Sequence, residues 1–178
     1  MNTRTTAILV FLTAAAVSPS AYSPMRTELV SPAVLEKLLP AAPEGWTRLA
    51  ARLNQVNISD ECSYTSASTT YAKGEIRVKL MLADTGAHAE GLAALATSVV
   101  TLPDDHVGKI PPATTITRMK IDGSPAMEMW DAEKLNGEIT VVVAGRFVAS
   151  VETSKADSVE VLKAILSGVD LKALGALK

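Results

Sequence analysis

The feature that most constrains the fold is a succession of four strand-like segments after residue 113, joined by turns of three or four residues. The segments are TTITRMKID from Thr114, AMEMWDA from Ala126, EITVVVA from Glu138 and RFVASVET from Arg146. The breaks DGSP, LNG and AGR contain residues that tolerate the backbone angles of tight turns. Because short connections join antiparallel neighbours, this half of the chain predicts an antiparallel sheet.

An earlier stretch, residues 63–84, predicts a β-hairpin. SYTSASTTYA is rich in β-branched and aromatic residues, KGE has the composition of a tight turn, and EIRVKLMLAD alternates apolar with charged residues. This alternation is typical of a strand that places one face on a core and the other toward water. By contrast, the VVV run at 141–143 has no polar alternate, which predicts an interior strand covered on both faces.

Helical spacing recurs along the chain. The apolar stripes are Leu35, Leu38 and Leu39; Leu92, Leu95, Ala96 and Val99; Val159, Leu162, Ile165 and Leu166; and a short turn in DLKALGAL. We expect Ser31, Ser154 and Asp170 to cap the first, third and fourth of these helices, with Pro32 at the first helical position. The predicted fold class is therefore α+β, a mainly antiparallel sheet of six or seven strands with helices packed against it.

The N-terminal residues have the order of a secretory signal peptide. Arg4 supplies a positive charge, Ala7 to Val17 form an apolar run, and small residues follow. Small residues that suit peptidase cleavage stand at Ser18 and Ser20, before Ala21, and also at Ala14 and Ala16. We expect a signal peptide at 1–20, a flexible mature N-terminus at 21–30 and a single domain at 31–178.

The mature protein is expected to be periplasmic or secreted and free in solution. The apolar run of eleven residues is too short to span a bilayer, and no cysteine stands near the expected cut to carry a lipid. Removal of Arg4 leaves 16 basic against 19 acidic residues, a net charge of −3. This acidic balance, without a basic cluster, argues against nucleic acid and anionic lipid and leaves a protein or small-molecule partner.

Two methionines in AMEMWD are the first residues that suggest chemistry. Side chains two apart on a strand share a face, so Met127 and Met129 point together while Glu128 and Trp130 point the other way. Soft sulfur ligands suit Cu(I), and the pair superficially resembles that of periplasmic copper chaperones, which use a Met-x-Met pair, a histidine and a tryptophan. In those proteins the tryptophan precedes the pair, whereas Trp130 follows it here.

A packing role is the expected reading of these methionines. The two histidines, His88 and His106, stand in other segments and would need the fold to bring them to Met127 and Met129. Methionine commonly fills irregular gaps in cores, and we expect the same of Met81 and Met119. A soft-metal site of Met127, Met129, His88 and His106 is the alternative.

The remaining reactive residues favour no enzyme class. PDDH places Asp104 and Asp105 beside His106, but neighbouring loop residues diverge and no nucleophile in a glycine-rich turn accompanies them. The single cysteine, Cys62, follows two acidic residues that raise its pKa, so a small half-buried side chain is expected. The sequence contains no phosphate-binding glycine loop, HExxH, CxxC or calcium loop, and no cofactor is expected.

Five stretches occur together in a combination that carries a resemblance. They are LLPAAPEGW at 38–46, YAKGEIRVKLMLADTG at 71–86, GSPAMEMW at 123–130, VAGRFVASVE at 143–152 and GVDLKALGAL at 168–177. The combination resembles a group of small secreted bacterial proteins without an assigned activity, which implies export and supplies no catalytic residues. The order of elements also resembles, more distantly, the α/β/α sandwiches of the Mog1 and PsbP type, whose members are mostly partners of larger assemblies.

The sequence therefore predicts a non-enzymatic periplasmic module that binds a partner or supports an assembly. The first alternative is a periplasmic carrier of Cu(I) or another soft metal that uses Met127 and Met129. A more distant third hypothesis is a small hydrolase that uses His106 with Asp104 or Asp105.

Overall fold

The computed structural model describes residues 28–57, 63–86 and 113–177, which form an antiparallel sheet with short helices. The eight strands are β1 (Thr47–Arg48), β2 (Arg52–Asn57), β3 (Ser63–Lys73), β4 (Ile76–Asp84), β5 (Thr114–Ile121), β6 (Ser124–Asp131), β7 (Asn136–Val143) and β8 (Phe147–Thr153). The helices within these residues are α1 (Pro32–Glu36), α2 (Glu160–Leu166) and α3 (Leu171–Gly175). The mainly antiparallel α+β class is confirmed, and the described residues alone contain eight strands where the sequence predicts six or seven.

The additional strand comes from an interrupted edge. The sheet order is β3, β4, β8, β7, β6, β5, and both β1 and β2 pair with the outer side of β3. Between the pairs Arg48–Tyr71 and Arg52–Ser68, the outer segment contains one residue more than the facing segment of β3. This extra residue forms a bulge that separates the two short strands. This edge of the sheet is thus divided into β1 and β2.

The predicted hairpins are confirmed. β3 pairs with β4 across the KGE turn, and β5, β6, β7 and β8 follow one another as antiparallel neighbours. Between β5 and β6, Asp122 and Gly123 both have positive φ angles of 49° and 81°, the combination of a two-residue type I′ turn. Asp-Gly is a preferred pair for that turn because both residues tolerate the left-handed region.

The core lies between one face of the sheet, called here the helix face, and the three helices. Its largest buried side chains include Tyr71, Leu80, Leu82, Ile139, Val141, Phe147 and Val151 from strands, with Leu35, Leu162, Ile165 and Leu174 from the helical segments. Residues 141–143 are all buried, which confirms the predicted interior strand. The opposite side of the sheet, called here the second face, carries the alternate residues of every strand.

Two of the three predicted helix caps are confirmed. The Ser31 hydroxyl accepts from the Ala33 N–H at 3.4 Å, and the Asp170 carboxylate accepts from the Ala173 N–H at 2.8 Å. The prediction that Ser154 caps the next helix is wrong, because α2 begins six residues later at Glu160. The intervening chain is drawn against the β6–β7 turn instead, where the buried Ala156 donates its N–H to the Leu135 carbonyl at 3.0 Å.

Gly137 lies beneath the indole of Trp130 on the helix face. A Cβ at this position would lie 2.6 Å from the indole Cε3 and would overlap the Met129 carbonyl. We therefore expect Gly137→Ala to lower the free energy of unfolding by about 1–3 kcal/mol, because either the backbone of β6 or the Trp130 ring must shift to make room. Denaturant titration checks this, with Asn136→Ala on the second face as a control that should change it by less than about 0.5 kcal/mol. Equal effects would contradict the steric account.

The β6–β7 turn is held by the Asp131 carboxylate, which accepts from the N–H groups of Lys134 at 2.9 Å and Glu133 at 3.1 Å. The Lys134 N–H above all lowers the pKa of Asp131 below its ordinary value, because it stabilises the charged form. A lowered folded-state pKa gives stability that is present above the unfolded-state value and lost as the pH falls through the folded value.

We accordingly expect the stability advantage of the wild type over Asp131→Asn to be full near pH 7 and to shrink below about pH 4. Thermal unfolding of both proteins across this range measures it, and Asp122→Asn, in the β5–β6 turn, serves as the control carboxyl. A difference that stays constant with pH would show that the Asp131 charge contributes nothing to the turn.

Candidate functional site

The methionine pair lies on the second face of β6. Met129 is 37% exposed, Met127 is half-buried, and Glu128 and Trp130 lie on the helix face, as the alternation predicts. Neither methionine belongs to the buried core, so the prediction that they fill it is wrong. The sequence missed this because alternation shows which residues share a face and does not show which face is covered.

Met119 and Met81 lie on opposite faces of the sheet. Met119 packs against the core on the helix face and confirms its prediction, whereas Met81 lies on the second face of β4. His88, His106, Asp104, Asp105 and Cys62 lie outside the described residues. Within the described ranges, no group of three or more histidine, cysteine or carboxylate side chains is placed to hold a metal ion.

The second face changes character along the strands. At one end, Ala83, Val142 and Val148 form a small buried cluster on neighbouring strands. At the other end, the charged residues Lys79, Glu152 and Glu138 stand side by side across β4, β8 and β7. On the next strand, β6, Met129 pairs with Glu138. These side chains form a row that begins at the Lys79 ammonium and ends at the Met129 thioether.

A groove with a volume of about 470 Å³ lies over this charged end. Its lining, which defines the second-face groove, is Thr70, Arg77, Lys79, Met129, Asn136, Gly137, Glu138, Glu152, Thr153 and Ser154. A second depression of about 460 Å³, around the β1–β2 bulge, shares Thr70 and Lys79 with it. Both volumes lie within the range of ligand sites, and together they extend from β6 to the edge of the sheet.

The charges of the groove are arranged in pairs. The Lys79 ammonium donates to the Glu152 carboxylate at 2.8 Å, and both side chains are about half exposed. One Glu138 oxygen accepts from the hydroxyls of Thr140 and Ser150, each at 2.8 Å. The groove therefore presents both signs of charge, positioned by hydrogen bonds, beside an exposed thioether.

The Ser150 hydroxyl is not arranged for acyl transfer. The Ser150 hydroxyl already donates to Glu138, and Ser150 pairs with Met81 and Thr140 within the interior strand β8. The backbone N–H groups around it serve the β-ladder, so they do not form the oxyanion site that acyl transfer requires. A groove with fixed charges and an apolar side chain can still hold a ligand that carries complementary groups.

A second polar cluster, at the far end of β4, is structural. The fully buried Asp84 carboxylate accepts from the Arg146 guanidinium at 2.6 and 2.8 Å and from the N–H groups of Val30 and Gly86. The hydrogen bond to Asp84 raises the pKa of Arg146 above its ordinary value. Because every partner is a group of the chain itself, the cluster anchors the N-terminal segment and leaves no ligand position.

Sequence reasoning missed the groove because its residues lie on five separate segments. The outward charges of β4 were visible in the alternation, but only the strand register brings Glu152 and Glu138 beside Lys79. Comparison of the chain with protein-family models, curated proteins and solved structures returned no match. No helix of the described part of the chain has the length and apolar character needed to cross a membrane.

Proposed function

We propose that this protein is an exported periplasmic module that binds a partner, or supports an assembly, through the second-face groove. The observation that carries the proposal is the row Lys79, Glu152, Glu138 and Met129, where paired charges stand beside an exposed methionine. Methionine is enriched at the buried centre of protein interfaces, and the rim of such interfaces is polar. The N-terminal pattern of a signal peptide supports export, and the resemblance to small secreted bacterial proteins agrees with it.

Affinity capture from a periplasmic extract tests the proposed function. Met129 and Leu135 are exposed to similar extents, 37% and 40%, but only Met129 lines the groove. We expect the wild type and Leu135→Asp to retain the same specific partner and Met129→Asp to lose it, because a buried charge in the contact is unfavourable. Equal retention by all three proteins, or by none, would contradict the proposal.

We further propose a three-layer α/β/α sandwich, in which the helix predicted from Leu92, Leu95, Ala96 and Val99 covers the buried end of the second face. Four antiparallel steps separate β4 from β5, so the two strands are parallel and need a crossover connection. The residues of that connection lie outside the described ranges. The Ala83, Val142 and Val148 cluster gives an apolar surface for such a helix.

The handedness of the crossover supports this side of the sheet. The Thr85 N–H donates to the Arg146 carbonyl, so the β4 residues on the second face direct their peptide groups toward β8. Consider a strand of L-residues that points upward. The N–H and carbonyl groups of a residue whose side chain points toward the viewer then point to the right. Seen from the second face, β5 therefore lies to the right of β4, and a right-handed crossover passes in front of that face.

A double-mutant cycle tests the sandwich with adjacent valines as matched positions. Val142 lies on the second face and Val141 on the helix face of the same strand. We expect Leu95→Ala to couple with Val142→Ala by about 0.5 kcal/mol or more and to be additive with Val141→Ala. Coupling with Val141 instead, or with neither valine, would contradict the proposed layer.

The soft-metal carrier remains the second candidate, favoured by two neighbouring thioethers on an accessible face. Against it, Arg118 pairs with Met127 across β5 and β6, and its positive charge disfavours a bound cation. Cu(I) titration against a competing chelator tests the candidate. Stoichiometric Cu(I) uptake that is lost in the double variant Met127→Leu, Met129→Leu and kept in the control Met119→Leu would support the carrier. Equal uptake by the double variant and the control would exclude it.

A further inference from the structure

The outer edge of the sheet at β2 is exposed on both faces. Five of the six residues of Arg52–Asn57 are exposed, which sets β2 apart from β5, the strand at the other edge. Of the five exposed large apolar residues in the described chain, Leu49 and Leu53 lie on this edge and Val34 lies on α1, which contacts β2. An uncovered edge strand flanked by apolar side chains is a template for pairing with another strand.

The hydrogen-bonding groups of β2 can be assigned from one contact. The Leu49 N–H donates to the Thr70 carbonyl at 2.8 Å, so the even-numbered residues of β3 direct their peptide groups at this edge. Their partners in β2 are Arg52, Asn54 and Val56. Peptide direction alternates along a strand, so the N–H and carbonyl groups of Leu53 and Gln55 point away from β3 and pair with no described residue.

We propose that β2 is the interface through which two copies of this chain pair edge to edge, which makes one continuous sheet across a two-fold axis. In the register that we assign, Asn54 lies on the axis, Leu53 faces the second copy's Gln55, and Arg52 faces the second copy's Val56. The outward groups of Leu53 and Gln55 then bond to one another, as a hydrogen-bonded antiparallel pair requires. This interface lies beyond the proposed function, because the groove contacts neither Leu53 nor Gln55.

The charge pattern of β2 suits a second copy as the occupant, because two-fold pairing in the assigned register brings no like charges together. Arg52 is the single charged residue of β2, and in the assigned register it meets an apolar side chain of the other copy. Self-pairing through β5 would bring Arg118 and Lys120 of both copies together and would be opposed by repulsion. Leu53 on the helix face and Leu49 on the other face would both be shielded from water by the added strand.

Sedimentation equilibrium of the purified protein tests the interface. A short strand pair buries less than a standard protein interface, so we expect a doubling of mass at about 100 µM and above. Gln55→Pro removes one outward N–H without touching the β2–β3 ladder, and it should leave a folded monomer. Gln55→Ala keeps the N–H and should still dimerise. A wild type that stays monomeric at all concentrations, or a Gln55→Pro protein that dimerises like Gln55→Ala, would overturn the proposal.

Disulfide trapping tests the register. In a Cys62→Ser background, Asn54→Cys places two thiols at a non-hydrogen-bonded pair, where the Cα separation of about 4.5 Å permits a disulfide. Thr117→Cys on β5 is the control and should stay monomeric on oxidation. Cross-linking through Thr117 and not Asn54 would overturn the proposal. Hydrogen exchange of the β2 amides gives a further test. If these amides become protected from exchange only after a foreign protein is added, the proposal is overturned and the edge belongs to another partner.

Discussion

Arg146→Ala should lower the free energy of unfolding by about 3–5 kcal/mol, because it leaves the fully buried Asp84 carboxylate without its opposite charge. The guanidinium makes a two-pronged contact with Asp84 and donates to the Glu28 carbonyl at 2.8 Å. Val30 and Gly86 would still donate to the carboxylate, but neutral N–H groups do not replace a lost countercharge. Chemical denaturation measures the loss.

Two further variants separate this effect from the loss of any surface ion pair. Lys155 makes an exposed contact of 3.3 Å with Glu75, so Lys155→Ala should change stability by less than about 1 kcal/mol. Arg146→Lys keeps the charge but loses the planar fork, and we expect an intermediate loss. If Arg146→Ala were as mild as Lys155→Ala, the cluster would contribute little to the fold.

Phe147→Ala should also be severe, with a loss of about 3–5 kcal/mol. Phe147 is buried at the start of β8, opposite Val143 on one side and Asp84 on the other. Its ring also lies 5.0 Å below the Arg146 guanidinium, a contact of the cation–π kind. Truncation therefore opens a cavity in the core and removes the surface on which the buried ion pair rests.

The control for this prediction is Phe147→Leu, which keeps most of the volume and should lose about 1.5 kcal/mol or less. A double-mutant cycle of Phe147→Leu with Arg146→Lys then measures how far the ring and the ion pair depend on each other. Comparable stability of Phe147→Ala and Phe147→Leu would contradict the packing described for β8.

The secondary structure could be predicted where local patterning determines it. The alternation of β4, the Asp-Gly turn before β6 and the Asp170 cap all depend on residues a few positions apart, and all are confirmed. The position of α2 could not be predicted in this way. Its start depends on the contact between Ala156 and the Leu135 carbonyl of a distant turn, which no local pattern reveals.

The candidate site could be predicted only in part, for the same reason. The sequence shows that Met127 and Met129 share a face of their strand. It also shows that Lys79 lies on the face of β4 opposite the apolar residues. The groove needs in addition the order of the strands, which sets β8 and β7 between β4 and β6 and brings Glu152 and Glu138 into one row. That order is a property of the whole sheet, whose edges and crossover are not encoded in any single segment.

The most direct test of the central claim, that this protein acts through the second-face groove, is a methyl spectrum of protein labelled at the methionine ε-carbons. Met129 reports the groove and Met119 reports the core on the helix face. When the partner retained by affinity capture is added, we expect the Met129 resonance to shift and that of Met119 to stay in place. A shift of Met119 with Met129 unmoved would contradict the claim and place the interaction on the helix face.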